Sequence, residues 1–307
     1  HVVVQLPVFN EGAIVERAIA SAARLDWPRG KLHIQVCDDS TDATTRIAQA
    51  AADKARAAGV EVTVLHRVDP RQFKAGALNA ARERTEHGYF AILDVDYVPR
   101  PDFLRRCMAV LLAGPKLAFV QARPDFFNAG ENALTRAQAI LLDFHYGLEQ
   151  PTRSWSGQAL PFNGTCGIWR REAIEAGGGW CGDMLTEDWD LSYRALLAGW
   201  RGVYVATVAV PGELPTDLRT WTAQQRRWST GIGEVAWKIS PTLVSSGMSA
   251  GERWRAFFPL FTWLGYLLFA ATFFLAVAGI ALKPSLALPL GLFNDLVEST
   301  RVGRLGS

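Results

Sequence analysis

Within the first hundred residues of this chain, four short apolar runs alternate with segments of helical period, and that alternation constrains the fold more than any other feature. The runs are VVVQLP, KLHIQVCDD, VEVTVLH and YFAILDVD. Their branched and aromatic residues suit strands. Between them, AIVERAIASAARLD puts Ile14, Ala18, Ile19, Ala22 and Leu25 on one helical face. Residues 44–58 are rich in Ala and close on Gly59, which reads as a helix and its stop. KAGALNAARER reads as a third helix, entered through a Gly. Such repeats fold as right-handed βαβ units, so the expected class is α/β with a mostly parallel sheet. Ligands gather beyond the carboxyl ends of the strands in these sheets. Residues 7–11, the pair Asp38 and Asp39, and the pair Asp94 and Asp96 all fall at such ends, and so converge on one rim.

The stretch YFAILDVDYVPRPDF carries no charge before Asp94, and Pro99 and Pro101 end the strand. At strand period Asp94 and Asp96 point to the same side. Two neighbouring carboxylates repel and are costly to desolvate. They suit a hard divalent cation held together with phosphate oxygens, or they sit on a solvated turn. In DDSTD, a carboxylate can accept from a base or a ribose hydroxyl while Asp42 caps the following helix. In TEDWD, Thr186 reads as a cap, and the acids either answer the helix dipole or provide Asp188 as a base for an acceptor hydroxyl. QQRRW reads as part of an interfacial helix, or as a cation for diphosphate with an indole face for a sugar ring.

Other chemistries lack their residues. With 32 basic against 30 acidic side chains the net charge is +2, which offers no field for nucleic acid. GxGxxG and GxxxxGK[ST] are absent, against a dinucleotide dehydrogenase or a phosphate-loop ATPase. The histidines form no HExxH, and Cys37, Cys107, Cys166 and Cys181 form no CxxC. Reduced thiols are expected. Residues 154–157 are not a GxSxG elbow.

The later part is oily. Residues 257–282 carry no charge, a run longer than the ~20 residues that span a bilayer. Arg253 and Arg255 precede it and Lys283 follows, which favours a cytoplasmic N-terminal side. Pro284 breaks the run, and residues 286–293 begin a second apolar stretch. The sequence reads as part of a longer membrane protein whose first ~250 residues lie in the cytoplasm.

The order PVFNE, DDS, KAGALN, DVD, FNGT, TED and QQRRW, followed by apolar spans, resembles the processive family 2 glycosyltransferases of the cellulose-synthase-like group. The resemblance covers residues 2–228 and the apolar region beyond. It implies a GT-A-type, Rossmann-like nucleotide-sugar-binding domain over 1–215, interfacial amphipathic helices over 216–255 and a transmembrane region over 256–307. It implies that Pro7, Phe9, Glu11, Asp38 and Asp39 hold the base and ribose, with Lys74 and Asn79 near the diphosphate and ribose. Asp94 would face the donor diphosphate and share Mg2+ or Mn2+ with Asp96. Asp188 would be the general base, and Arg227 would meet the diphosphate. Phe162, Asn163, Gly164, Thr165, Glu187, Gln224 and Trp228 would surround the acceptor sugar.

The implied reaction is inverting hexosyl transfer from a nucleotide sugar, UDP-glucose first and GDP-mannose second, to the non-reducing end of a β-linked polysaccharide. The alternative is single-sugar transfer to a membrane lipid such as ceramide. The implied partners are the nucleotide sugar, a polysaccharide or lipid acceptor and membrane lipids, with no nucleic acid. The implied location is the cell membrane, a bacterial inner membrane, multi-pass, with the catalytic domain cytoplasmic. Two departures bear on the product. Asn163 stands where cellulose synthases tend to have Cys, and FNGT after VQARPDFFN is closer to the mannan- and glucomannan-synthase-like branch and its bacterial relatives. Phe9 stands where Tyr is common, which removes a hydroxyl contact.

Overall fold

A computed structural model describes residues 1–282. They fall into two units, His1–Leu260 and the segment from Phe261 onward.

The first unit is built on one seven-stranded sheet with the order β3-β2-β1-β4-β6-β5-β7. Its strands are β1 (Val2–Val8), β2 (Leu32–Asp38), β3 (Glu61–His66), β4 (Tyr89–Ile92), β5 (Leu117–Phe126), β6 (Gly167–Arg170) and β7 (Arg201–Gly212). β1 pairs in parallel with β2 and β4, β2 with β3, and β5 with β7. Only β6 runs antiparallel, between β4 and β5. The expected mostly parallel α/β sheet is thus present.

Helices cover both faces, which is why the strands read as continuous apolar runs. Val2, Val4 and Leu6 of β1 point into one layer with Val15 and Ile19 of α1 (Gly12–Ala23) and Ala48 and Ala52 of α2 (Thr44–Ala57). Val3 points the other way, into a layer with Leu78 of α3 (Phe73–Arg82), Phe90 and Trp169. The small Ala side chains of α2 let it lie close on the sheet. Gly59 ends that helix region in the left-handed conformation (φ +82°), as its position predicts. The Thr44 N–H donates to Asp42 Oδ1 at 2.9 Å, so Asp42 serves the start of α2.

Three local expectations need correction. β4 stops at Ile92, so Asp94 and Asp96 lie in a turn closed by Tyr97 N–H to Asp94 O (3.0 Å), not on a strand. LPFNGTC, which reads as a strand followed by a Gly turn, is a loop, and the strand begins at Gly167. α3 is not entered through its glycine: Gln72 and Phe73 take the left-handed turn (φ 63° and 45°), and Gly76 sits inside the first turns.

The chain continues through α4 (Phe103–Ala113), α5 (Ala133–Phe144), a π turn (His145–Glu149), α6 (Gln150–Ser156), α7 (Arg171–Ala176) and α8 (Glu187–Leu197). Last come α9 (Leu218–Ser245) and α10 (Ala250–Leu260), which belong to the same compact unit. Tyr193 Oη donates to Ala256 O at 3.0 Å, and Ala159 N–H to Arg255 O at 3.2 Å, binding α10 to the body of the unit. Their outer faces leave Trp237 86% and Trp254 70% exposed.

In the second unit α11 (Thr262–Leu282) occupies most of the uncharged run, with Phe269, Phe274 and Leu275 exposed. Among the described residues no helix is long and apolar enough to cross a membrane. Lys283, Pro284, the apolar stretch at 286–293 and the RVGRLGS tail lie outside the described residues. All four cysteines are free thiols.

Candidate active site

The parallel strands deliver their carboxyl ends to one side, and the candidate site is assembled there from loops. Its centre is Lys74, in the first turn of α3. The left-handed pair Gln72 and Phe73 swings this turn under the sheet rim. Gly76 is required for that approach, since a β carbon there would stand 2.3 Å from Arg71 O. The Lys74 Nζ lies 2.5 Å from Asp94 Oδ1 and donates to Gly164 O at 3.1 Å. Burial pulls the Lys74 ammonium down, but Asp94, Glu187 and Asp188 outweigh it and raise its pKa.

The Asp94 turn and the FNGT loop are tied directly: Asp94 N–H donates to Thr165 Oγ1 at 2.8 Å. Asp96 and Glu11 face the same space. Burial pushes Asp96 up to about 7, with Asp94 and Glu11 adding repulsion. Burial also raises Glu11, whose carboxylate accepts from Phe9 N–H at 3.2 Å. Among the described residues no three His, Cys, Asp or Glu side chains gather closely enough to hold a metal ion by themselves. The chemistry of the donor set nevertheless fits a hard divalent ion: two carboxylates, one of them desolvated, with phosphate oxygens completing the shell.

Asp188 arrives from the other half of the chain, in the first turn of α8. Gly164 has φ +77°, and a β carbon there would meet Asp188 Oδ2 at 3.2 Å and Lys74 Nζ at 3.7 Å. One glycine therefore adjoins both the carboxylate and the ammonium. Burial raises Asp188 to about 7, with Glu187 adding repulsion and Lys74 opposing it. A carboxylate with that value is poised to take a proton at neutral pH. Thr186 precedes α8 but does not cap it: its hydroxyl has no hydrogen-bond partner among the described residues.

The remaining predicted residues divide. Asn163 and Thr165 stand in the loop beside Gly164. Phe162 does not face an acceptor, because its ring is wholly buried against Phe119 and Trp169. Asp38 is fully buried and accepts from Thr45 Oγ1 (2.6 Å) and Ser40 N–H (3.0 Å), with His66 Nδ1 at 2.8 Å. Asp39 receives Arg67 in two-point fashion, Nε at 2.7 Å and Nη2 at 2.5 Å. Asn79 bonds to Trp180 O at 3.0 Å and Trp180 N–H at 3.3 Å, so its amide ties α3 to the glycine loop at 177–179. Phe9 is exposed beside Glu11, and Pro7 is partly buried at the end of β1.

On α9, Gln224 and Trp228 are partly buried and Arg227 is exposed. No ion pair holds Arg227 among the described residues. Gly231, one turn further, packs on the TED segment, where a β carbon would stand 2.5 Å from Thr186 Cγ2. α9 therefore packs on the start of α8 at Gly231, three residues after the end of QQRRW.

Two residues that sequence reasoning missed hold the site together. Gln121 in β5 donates to Thr165 O (3.0 Å) and accepts from Asn163 N–H (3.0 Å), fixing the FNGT loop from behind. A Gln inside the apolar run LAFVQA was its signal. Ser192 Oγ donates to Asp188 O (2.6 Å) and accepts from Phe162 N–H (2.9 Å). Its only signal was its place four residues after Asp188 on a helix.

Comparison with known proteins gives the family and the fold. The family model described as glycosyltransferase-like family 2 matches residues 1–231. Glucomannan 4-beta-mannosyltransferase 7 of Arabidopsis thaliana is 37% identical over 268 residues, covering 85% of this chain and 48% of that protein. Glucomannan 4-beta-mannosyltransferase 2 of the same plant is 41% identical over 247 residues, covering 79% and 46%. The chain thus spans about half the length of the curated relatives it matches. Among solved structures, a mannosyltransferase from Pyrobaculum calidifontis in complex with GDP-Man and Mn2+ superposes with TM-score 0.71. It is 22% identical and covers 98% of this chain and 80% of its own, a likeness of fold.

Proposed function

The chain belongs to the glycosyltransferase-like family 2, and on that premise we propose that it transfers a hexosyl group from a nucleotide sugar to a sugar hydroxyl of a growing β-linked polysaccharide. The observation that carries this reading is the meeting of Asp188 and Lys74 at Gly164. A single displacement needs a base for the acceptor on one face of the anomeric carbon and a cation for the leaving group on the other, and Gly164 borders both groups.

The acceptor hydroxyl attacks the anomeric carbon while the bond from that carbon to the diphosphate oxygen breaks. Asp188 takes the hydroxyl proton. Lys74 and Arg227 offset the charge that grows on the departing nucleoside diphosphate. One displacement inverts the anomeric centre, so an α-linked donor gives a β-linked product. Asp94 and Asp96 are the residues that would hold Mg2+ or Mn2+, which supplies Lewis-acid neutralisation of the leaving diphosphate when bound.

The relatives' names favour the other order of donors from the one that the sequence suggests. At 37% and 41% identity they are glucomannan 4-beta-mannosyltransferases, and Asn163 stands in the FNGT that set the mannan-like branch apart. GDP-mannose is therefore the first donor and UDP-glucose the second. The exposed Trp237 and Trp254, with the apolar α11, support a protein held at a membrane with the site on its nucleotide-sugar side.

The test is a panel of nucleotide hexoses supplied to the whole protein in membranes, followed by linkage analysis. A β-1,4-linked mannose-containing polymer is expected with GDP-mannose. A glycolipid carrying one sugar would replace the polymer by the lipid acceptor, and no transfer from any hexosyl donor would overturn the reading.

A further inference from the structure

α9 is the longest helix among the described residues, and its two halves do different things. The first half carries Gln224, Arg227 and Trp228. The second half is fastened to the segment around TED by three separate contacts. Gly231 lets the backbone press on Thr186, as a β carbon would stand 2.5 Å from its Cγ2 and 2.9 Å from its N. Glu234 Oε2 accepts from Leu185 N–H at 3.1 Å. Lys238 Nζ reaches Asp183 Oδ2 at 2.9 Å and Asp190 Oδ1 at 2.9 Å. At 3.6 residues per turn, positions 224, 228, 231, 235 and 238 fall on one stripe of the helix. The face gripped at 231–238 is the face that continues into Gln224 and Trp228.

Lys238 is the one cation in that grip, and it acts on a carboxylate with no access to water. Asp190 is 0% exposed and lies two residues after Asp188. It is shared between Lys238 and Arg194, whose Nη2 stands 2.6 Å from Oδ2. Arg194 also donates to the carbonyls of Gly177 and Gly179, in the loop that Asn79 holds. Burial pulls Lys238 down, but Asp190 and Asp183 raise it further, so it stays charged. A buried ion pair of this kind adds little net stability over an apolar substitute, but breaking one side strands a charge. Its value lies in fixing geometry.

We propose that Lys238 is a positioning residue: by bridging Asp183 and Asp190 it sets the direction of α9, and so holds Arg227 and Trp228 in register with Asp188 across the acceptor. This inference rests on the transferase reading for its kinetic consequence, though not for its structural one. Lys238 touches neither donor nor acceptor and should be invisible to nucleotide binding.

The experiment compares the whole protein with Lys238→Met, Lys238→Arg and the double variant Lys238→Met with Asp190→Asn. Amide hydrogen exchange over residues 218–231 is read alongside donor affinity and turnover. In Lys238→Met, protection over 218–231 should fall about tenfold or more while the β1–β4 core keeps its protection. Turnover should fall about 10- to 100-fold, the scale of a misplaced reacting group, with donor Kd within about threefold. Lys238→Arg should restore both, since a guanidinium can span the same two carboxylates. The double variant also takes from Arg194 the carboxylate it holds, so it should be no more stable than Lys238→Met and should leave turnover low. Unchanged protection over 218–231 in Lys238→Met would overturn the inference, as would recovery of turnover in the double variant. A parent protein that transfers no sugar would instead sink the transferase reading, and the exchange measurement would still decide the role of Lys238.

Discussion

Gly164 leaves open the space that Asp188 uses: a β carbon on Gly164 would stand 3.2 Å from Asp188 Oδ2, and its φ of +77° disfavours any other residue. The glycine of FNGT is thus a condition for the base to adjoin the Lys74 ammonium. Gly164→Ala should cost about 1 kcal/mol or more in backbone strain and displace one of the two partners. Turnover should fall about 100-fold with circular dichroism unchanged. Parent-like turnover in a folded Gly164→Ala protein would show that Asp188 and Lys74 do not work through this point.

Asp188→Asn keeps the shape and removes the base. Turnover should fall about two to four decades, the usual share of general base catalysis, with donor Kd nearly unchanged. The same change should stabilise the fold. The Asp188 carboxyl is raised to about 7 when folded, so the ionised form is disfavoured in the fold relative to the unfolded chain. Stability from this group is therefore lost as pH rises from the ordinary Asp range through about 7, and an amide avoids that loss. At pH 8 a melting temperature a few degrees above the parent, about 2–4 °C for each kcal/mol, is expected.

The pH profile follows with the opposite sign for activity. Only ionised Asp188 accepts a proton. Turnover under saturating donor should climb about tenfold per pH unit up to about 7 and level off above it. A profile that is flat from pH 5 to 9 would assign the proton to another group.

The rim was legible in the sequence because it depends on strand ends, which periodicity reports well. The alternation of VVVQLP, KLHIQVCDD, VEVTVLH and YFAILDVD located the carboxyl ends where Glu11, Asp94 and Asp96 gather. What the sequence hid was how loops close over that rim. The Asp94 turn follows β4 rather than extending it, and Thr165, seventy-one residues later in the chain, holds it. Phe162 sits in a motif that suggests ligand contact, but strand pairing at Gly167 turns its ring into the core. Asp38 looks equally free in DDSTD, and burial beside Thr45 and His66 makes it a support for the β2 end. Ser192 and Lys238 carry no motif at all; their roles exist only once α8 and α9 are packed.

Acid should weaken the fold at the amino ends of the strands, away from the site. His33 and His87 meet edge to face with ring centroids 6.0 Å apart, and burial lowers the pKa of both. Folded values below the ordinary His value mean that the unfolded chain takes up protons first as pH falls. Stability should therefore decline as pH drops through about 6.5. Urea midpoints at pH 8 and pH 5.5 measure this, and His33→Gln should flatten the difference. Equal slopes for the two proteins would place the acid response elsewhere.

Removal of divalent ions tests the Asp94 and Asp96 pair. Asp96 is desolvated and repelled by Asp94 and Glu11, and only partly relieved by a backbone N–H and by Lys74. A donor diphosphate brings more negative charge into the same space, so transfer should require an added cation. Excess EDTA should stop turnover, and Mn2+ or Mg2+ should restore it. Asp96→Asn should raise the ion concentration for half-maximal activity by about tenfold or more while leaving the fold intact. Asp188→Asn should leave that concentration where it was, because its carboxylate serves the acceptor. Full activity in EDTA would remove the ion from the reaction and leave Lys74 and Arg227 to carry the leaving group alone.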